Sequence, residues 1–264
     1  MVYVALPNHL HYPFAKRALE AGKHAVVEKP FVATEEEVES LVACAREHGA
    51  MVFDAITTKY VPLLETLRDQ LGRAGSVRAV TSSYCQYSSR YDAVRAGELP
   101  EVFSLENDGG ALKDLGIYPV TFVASLFGRP QGAHYFANKL PNGCDTSGTL
   151  VLTYPTFVAT IRVAKDSFTE NRCTVEGEDG TFFVDDDCFR FPNLRFRANA
   201  RAGSEDLGSF EPYGGIANEF RHFVDIVERG DAEESWRLAA RAADAVATLE
   251  MAAQSAGIVY GKER

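Results

Sequence analysis

The chain has 264 residues, 46% of them hydrophobic and 24% charged, with 21 glycines and 11 prolines in no pattern. That balance predicts a soluble globular protein with a sizeable core and excludes a collagenous or disordered one. A formal net charge of −10, from 27 Lys+Arg against 37 Asp+Glu, makes a poor binder of phosphate backbones. No run approaches the roughly 20 apolar residues of a membrane helix, so nucleic acid and membrane are both set aside as partners.

The five cysteines (Cys44, Cys85, Cys144, Cys173 and Cys188) are odd in number, scattered and without a CxxC. This argues against a disulfide framework or structural zinc and fits a reducing cytoplasm, as does the lack of a secretory signal.

Val2-Tyr3-Val4-Ala5-Leu6 is a short β-branched run stopped by Pro7-Asn8, the pattern of a buried parallel strand. Residues 12–21 read as a helix closed by Gly22, and Ala25-Val26-Val27 as a second strand ending at Glu28-Lys29-Pro30. Thr34-Glu35-Glu36-Glu37 is a capping box, and Val38, Leu41, Val42 and Ala45 form the apolar stripe of the helix it starts. Met51-Val52-Phe53 is a third strand. Residues 1–53 thus predict the second half of a doubly wound parallel sheet.

The remainder changes character. A helix near 61–71 precedes a long strand at 76–87, and 109–127 is a helical segment led by glycines. Strands are expected at 133–139, 148–154, 157–164, 171–176 and 181–185; in the third, Phe157, Ala159, Ile161 and Val163 alternate with Val158, Thr160 and Arg162, the period of a half-buried antiparallel strand. Arg162 is expected in solvent, Asp185-Asp186-Asp187 in a solvated turn, and 192–213 in irregular structure. Two helices close the chain, the first with Phe220, Phe223, Val224 and Val227 as a core stripe, the second at 235–255. Residues 54–264 predict an α/β unit with a largely antiparallel sheet, with the terminal helix packed back on the first part.

Glu28-Lys29-Pro30 sits at the carboxyl end of a parallel strand, the edge at which open α/β sheets bind ligands, although alone it is also an ordinary polar loop. Asn8 is a favoured helix cap. His9-x-His11 has no third ligand at a metal-binding spacing, so no metal is expected. Tyr84, Tyr87 and Arg90-Tyr91 suit a hydroxylated ligand or a plain sheet surface. Asp114 and Tyr118, four apart, share a face if helical, and alone read equally as a local cap and a packed aromatic. The sequence has neither a G-x-S-x-G elbow nor a Walker loop.

Three ordered motifs carry a resemblance: Ala5-Leu6-Pro7-Asn8-His9-Leu10-His11, then Ala18 to Pro30, then Gly109-Gly110-Ala111-Leu112-Lys113-Asp114-Leu115-Gly116-Ile117-Tyr118. Over nearly its whole length the chain resembles the Gfo/Idh/MocA oxidoreductases, and Tyr118, where the family usually has histidine, resembles the dihydrodiol dehydrogenases within it. The family's G-x-G-x-x-G is absent, and the opening strand corresponds to about its fourth. The resemblance therefore implies that roughly 60–80 residues of the family's first half, at about 30 per βαβ unit, are missing through a fragment or a misplaced start.

The resemblance implies an NAD(P)-dependent oxidoreductase, with NAD or NADP as cofactor, passing hydride between nicotinamide and a secondary carbinol of a sugar, polyol or diol. It places Pro7, Asn8, His11, Glu28, Lys29 and Pro30 at the cofactor, and Thr57 and Tyr60 at the cleft with Tyr84 and Tyr87 at the substrate. Tyr118 is expected to carry the hydroxyl proton, Lys29 to lower the tyrosine pKa and steady the alkoxide, and Asp114 to hold substrate or Lys29. A homodimer through the open sheet face is implied as well. Three other readings stand beside this one: a non-catalytic or regulatory binding protein on the same fold, a fragment unable to bind cofactor, and an NAD-using glycoside hydrolase.

Overall fold

In the computed structural model, which describes residues 1–200, 203–211 and 214–261, strands β1 (Val2–Val4), β2 (Ala25–Glu28) and β3 (Val52–Ala55) form a parallel sheet in that order. The buried Val26, Val27, Val52 and Phe53 explain the unbroken apolar runs of β2 and β3, whose faces are both covered, whereas β1 corrects the expected buried strand, with Val2 39% and Tyr3 46% exposed. Helices α1 (His11–Glu20) and α2 (Glu35–Glu47) pack on one face through Ala15, Leu19, Leu41 and Ala45. Thr34 caps α2 as its sequence predicts, accepting the Glu37 N–H at 3.2 Å.

The other face is closed from the far end of the chain. Helix α7 (Gly214–Arg229) lays Phe223 and Ile226 against Val26, Phe53 and Ala55. The buried face of α7 is Gly215, Glu219, Phe223 and Ile226, so the expected stripe is corrected: Phe220 and Val224 are 37% and 48% exposed. The Phe220 ring lies 5.7 Å from that of Tyr3 on β1. The expected closing helix is two, α8 (Ala232–Ala240) and α9 (Ala242–Ser255). Residues of both, Ala239, Ala242 and Val246, join the α1–α2 core, so the terminal helices do return to the first sheet.

The second sheet has eight strands in the order β11-β10-β9-β8-β4-β7-β6-β5. They are β4 (Val77–Cys85), β5 (Gly132–Lys139), β6 (Asp145–Thr153), β7 (Val158–Ala164), β8 (Cys173–Gly177), β9 (Gly180–Val184), β10 (Asn193–Ala198) and β11 (Glu205–Ser209). Every pairing is antiparallel except β4 with β7, so the expectation that β7 is purely antiparallel is half right. Strands β10 and β11 fall in a segment read as irregular; its residues 201, 202, 212 and 213 lie outside those described. Leu194 and Phe196 alternate inward there with too few apolar neighbours to mark a strand in sequence.

One face of this sheet is covered by α3 (Pro62–Gln70), α6 (Ile117–Phe127) and α9, and the opposite face is open. Arg162 is exposed on the open face, as expected. The acidic run at 185–187 is a correction: Asp187 is fully buried and accepts the Phe189 and Arg190 N–H groups at 3.0 and 2.8 Å, the turn that swings the chain toward β10.

Candidate active site

Two backbone features deliver the site. Lys29 follows β2 at the carboxyl edge of the parallel sheet, and its main-chain N–H donates to Glu28 Oε2 at 3.1 Å. Asp114 and Tyr118 come from the glycine-led segment, which is two helices, α5 (Ala111–Asp114) and α6, parted at Gly116. A Cβ on Gly116 would collide with the Leu112 carbonyl, and one on Gly110, at φ 115°, with Asp145 Oδ1. That glycine pattern lets the segment turn sharply under the second sheet.

Lys29 Nζ donates to Asp114 Oδ1 at 2.6 Å and to the Asp114 carbonyl at 3.2 Å. The other carboxylate oxygen, Oδ2, accepts a short hydrogen bond from Lys165 Nζ. Lys165 follows β7 and is only 5% exposed. Burial alone would raise the Asp114 carboxyl, but the two ammonium groups outweigh it and hold it well below the usual carboxylate range. Tyr118 lies beneath Lys29, with Nζ 5.3 Å from its ring centre, and meets the Tyr84 ring at 5.4 Å. Burial, reinforced by the Asp114 charge, raises the Tyr118 phenol above its ordinary value. The expectation that Lys29 lowers it fails in this geometry, because the ammonium faces the ring and bonds the carboxylate.

These groups line a cavity of about 430 Å³ together with Tyr84, Tyr87, Gln86 and Ser88. The Tyr87 hydroxyl is tied to Asp92 at 2.7 Å. Tyr60 and Thr57 are not brought here. Tyr60 packs edge-on against Phe223, 5.2 Å between centres, and lines a separate cavity of about 790 Å³ beside α7. Thr57 is buried in the turn after β3.

The expected cofactor residues divide. Glu28, Lys29 and Asn8 sit along the carboxyl edge; Asn8 Nδ2 reaches the Asp108 carbonyl at 2.9 Å. Pro7 is exposed and precedes the short turn after β1. The placement of His11 is a correction. It is 1% exposed, with Nδ1 and Nε2 each 2.8 Å from a main-chain carbonyl, those of Pro30 and Leu6. Both ring nitrogens are used within the protein, so His11 clasps the ends of β1 and β2 together, and Pro30 contributes through that carbonyl.

A nicotinamide group fits this edge on one structural ground. Of the buried side-chain polar atoms without a hydrogen bond among the described residues, four belong to the elements at this edge and to α7: His9 Nδ1 and Thr57 Oγ1 at the strand ends, Thr58 Oγ1 beside them, and Glu219 Oε1 on α7. Such atoms cost free energy unless a ligand or water meets them. The fit covers the nicotinamide end, since the sequence carries no glycine-rich phosphate turn.

Sequence reasoning missed Lys165 and Glu219. The first had a signal: the inward alternation Ala159, Ile161, Val163 puts residue 165 on the core face, where an ammonium demands a partner. The second lies on the buried stripe of α7 four residues from Gly215 and Phe223, but a lone glutamate at such a position is indistinguishable from one at a helix margin.

A parallel sheet presenting a lysine at its carboxyl edge, locked to an aspartate and a tyrosine beneath an open-faced mixed sheet, defines a two-part oxidoreductase of the Rossmann type. The chain belongs to the Gfo/Idh/MocA family. The family's NAD-binding Rossmann-fold model matches residues 1–55, and its C-terminal domain model matches residues 69–183. Scyllo-inositol 2-dehydrogenase (NADP(+)) IolU of Bacillus subtilis is 33% identical over 260 residues, 98% of this chain and 78% of that protein. The uncharacterized oxidoreductase YgjR of Escherichia coli is 34% identical over 184 residues, 70% of this chain and 56% of its own. In fold, the chain is similar to KijD10, a 3-ketoreductase from Actinomadura kijaniata solved with NADP and TDP-benzene, at a TM-score of 0.78 and 24% identity, covering 94% of this chain and 77% of that one. It is similar also to an inositol dehydrogenase homolog from Azotobacter vinelandii solved with NADH and myo-inositol, at 0.78 and 21%, covering 97% and 75%.

Proposed function

We propose that this protein is an NAD(P)-dependent oxidoreductase acting on a secondary carbinol of a sugar, polyol or diol. The observation that carries the reading is the convergence of Lys29, Asp114 and Tyr118 on one cavity at the carboxyl edge of a parallel sheet. The names of the relatives, an inositol dehydrogenase and a ketoreductase, support it.

Bound at that edge, a nicotinamide supplies the carbon that gives or takes the hydride. Glu28, Lys29 and Asn8 are the residues of this chain that would hold it, with Thr57 and Glu219 offering unmet polar atoms. Tyr118, kept protonated by burial and by Asp114, is suited to donate a proton to a substrate oxygen in the reducing direction, leaving phenolate; the oxidising direction would have to start from that phenolate, which burial disfavours. The Lys29 ammonium stabilises negative charge growing on the same oxygen. Asp114 acts through Lys29, fixing its position by the 2.6 Å bond.

The reading extends to organisation. Residues 1–53 form the cofactor unit and 54–264 the substrate and dimer unit; a homodimer in the cytoplasm forms through the open sheet face, where Phe136 is 69% exposed. No helix among the described residues is long and apolar enough to cross a membrane.

Absorbance at the reduced-nicotinamide band, with inositols, sugars and diols as substrates, tests the activity. Turnover by the wild type that is lost in Tyr118→Phe supports it. A Tyr118→Phe variant as active as wild type removes Tyr118 from the mechanism. For the dimer, sedimentation should show a two-fold mass that Phe136→Lys halves.

A further inference from the structure

The charges in the Lys29–Asp114–Lys165 group do not balance. One carboxylate serves two ammonium groups, one on each oxygen, and the other side chains lining the cavity are uncharged: Tyr84, Gln86, Tyr87, Ser88, Ser89, Leu115 and Tyr118. Other carboxyls of the region do not line the cavity and none of them hydrogen-bonds either ammonium; Asp145, which acts on Lys165 only through space, and Glu219 each keep one buried oxygen without a hydrogen bond. Glu28 accepts from the Tyr3 hydroxyl and the Lys29 N–H, Asp166 from the Thr146 and Ser147 hydroxyls, and Asp145 from Leu112 N–H and Tyr135.

The surplus cation is best placed on Lys165. Its side chain is 7% exposed against 21% for Lys29, and its ammonium donates to Asp114 Oδ2 alone among the hydrogen bonds of the described residues. An ammonium has three N–H donors, so two remain, in a nearly buried position where an uncompensated charge is expensive. A neutral hydroxyl would accept those donors and leave the charge standing, whereas a carboxylate answers both.

We infer that the cavity selects a polyol bearing a carboxylate, and that Lys165 is the residue that recognises it. This deepens the proposed function, naming the substrate class of the same site, and it rests on that reading. Lys29 is then left for the reacting oxygen, and Asp114, shared between the two lysines, sets the spacing between the reacting carbon and the anionic end.

D-Gluconate and D-glucitol share a carbon chain and differ in a carboxylate against a hydroxymethyl group, so calorimetric titration of the 264-residue chain with each isolates the charge. The expected result is roughly tenfold or greater preference for gluconate, from a charge-assisted hydrogen bond, lost in Lys165→Gln and kept in Lys165→Arg. Circular dichroism checks that each variant is folded; if Lys165→Gln is not, the wild-type pair and Lys165→Arg decide. Equal affinities in the wild type, no gluconate binding, or a preference unchanged in folded Lys165→Gln each overturn the inference. Nicotinamide absorbance with the same two compounds separates the two claims. Preferential gluconate binding without turnover of any polyol leaves the charge recognition standing and sinks the oxidoreductase reading. Turnover with no preference does the reverse.

Discussion

The Lys29 ammonium stands 5.3 Å from the centre of the Tyr118 ring while its hydrogen bonds go to Asp114. A cation on the face of an aromatic ring is attracted to its π electrons and does little for the charge on a phenolate oxygen. Burial therefore dominates, and the phenol stays protonated. On the proposed function, lysine and tyrosine would divide the work, with charge stabilisation on one and the proton on the other.

Replacing Lys29 by Met removes the charge and keeps much of the stem. Turnover should fall by about 10²–10³, the cost typical of losing one stabilising group aimed at developing negative charge. The fold should survive, because Asp114 keeps its bond to Lys165. Steady-state rates beside a far-ultraviolet spectrum check both halves; a folded variant turning over near the wild-type rate removes Lys29 from the chemistry.

Glu219 links stability to pH. Burial, with the charges of Asp54 and Glu28 adding to it, pushes its carboxyl from 4.5 to about 9. Between those values the folded protein holds a proton that the unfolded chain releases, so stability falls as pH rises through this window and levels off above about 9. Asp114, held low, completes its opposite change in acid, and Asp145, pushed up to about 6, has largely finished by neutrality. Glu219→Gln mimics the protonated acid and does not titrate. Its melting temperature should exceed that of wild type at about pH 8.5, with a flatter slope from about pH 6.5 upward. Parallel slopes for the two proteins would mean that Glu219 ionises normally in the fold.

His11 gives a test of the clasp. His11→Ala removes the ring held between the Leu6 and Pro30 carbonyls and the N–H it donates there, at a cost of about 1–3 kcal/mol. Urea unfolding should report that loss, and cofactor affinity measured on folded protein should change less than for Glu28→Ala. The opposite order would return His11 to the cofactor site.

Much of this molecule is legible in its sequence, for identifiable reasons. The first sheet is readable because β2 and β3 are buried on both faces and its helices carry caps and glycine stops; Thr34 does in the structure what its spacing says, while the Glu37 side chain accepts the Ala33 N–H. Lys29, Asp114 and Tyr118 could be joined because they lie in motifs, although they stand 85 and 4 residues apart. Lys165 and Glu219 belong to no motif, and their meaning comes from what faces them across 51 residues of chain or from another element altogether. The protonated state of Tyr118 was out of reach for the same reason. A pKa follows from burial and from the direction in which a neighbouring charge points, neither of which spacing encodes. His11 shows the converse, a motif residue whose ring turns inward to the backbone.

The edge of β3 supplies the last prediction. An unpaired edge strand offers donors and acceptors that attract other chains, and covering it with a helix is one remedy. Here α8 provides the cover. Ser235, fully buried, accepts the Val52 N–H at 3.0 Å and donates to the Val52 carbonyl at 2.8 Å, so one hydroxyl stands in for a missing strand. Trp236 Nε1 adds a bond to the Ala50 carbonyl at 2.8 Å. Ser235→Ala removes both Val52 partners at a site closed to water, and the two orphaned groups should cost about 2–4 kcal/mol together. Ser235→Thr keeps the hydroxyl but adds a methyl to a packed seam, so it should fall between the two. Urea midpoints for the three proteins check the order wild type, Thr, Ala. A Ser235→Ala midpoint equal to wild type would show that α8 holds β3 by apolar contact alone.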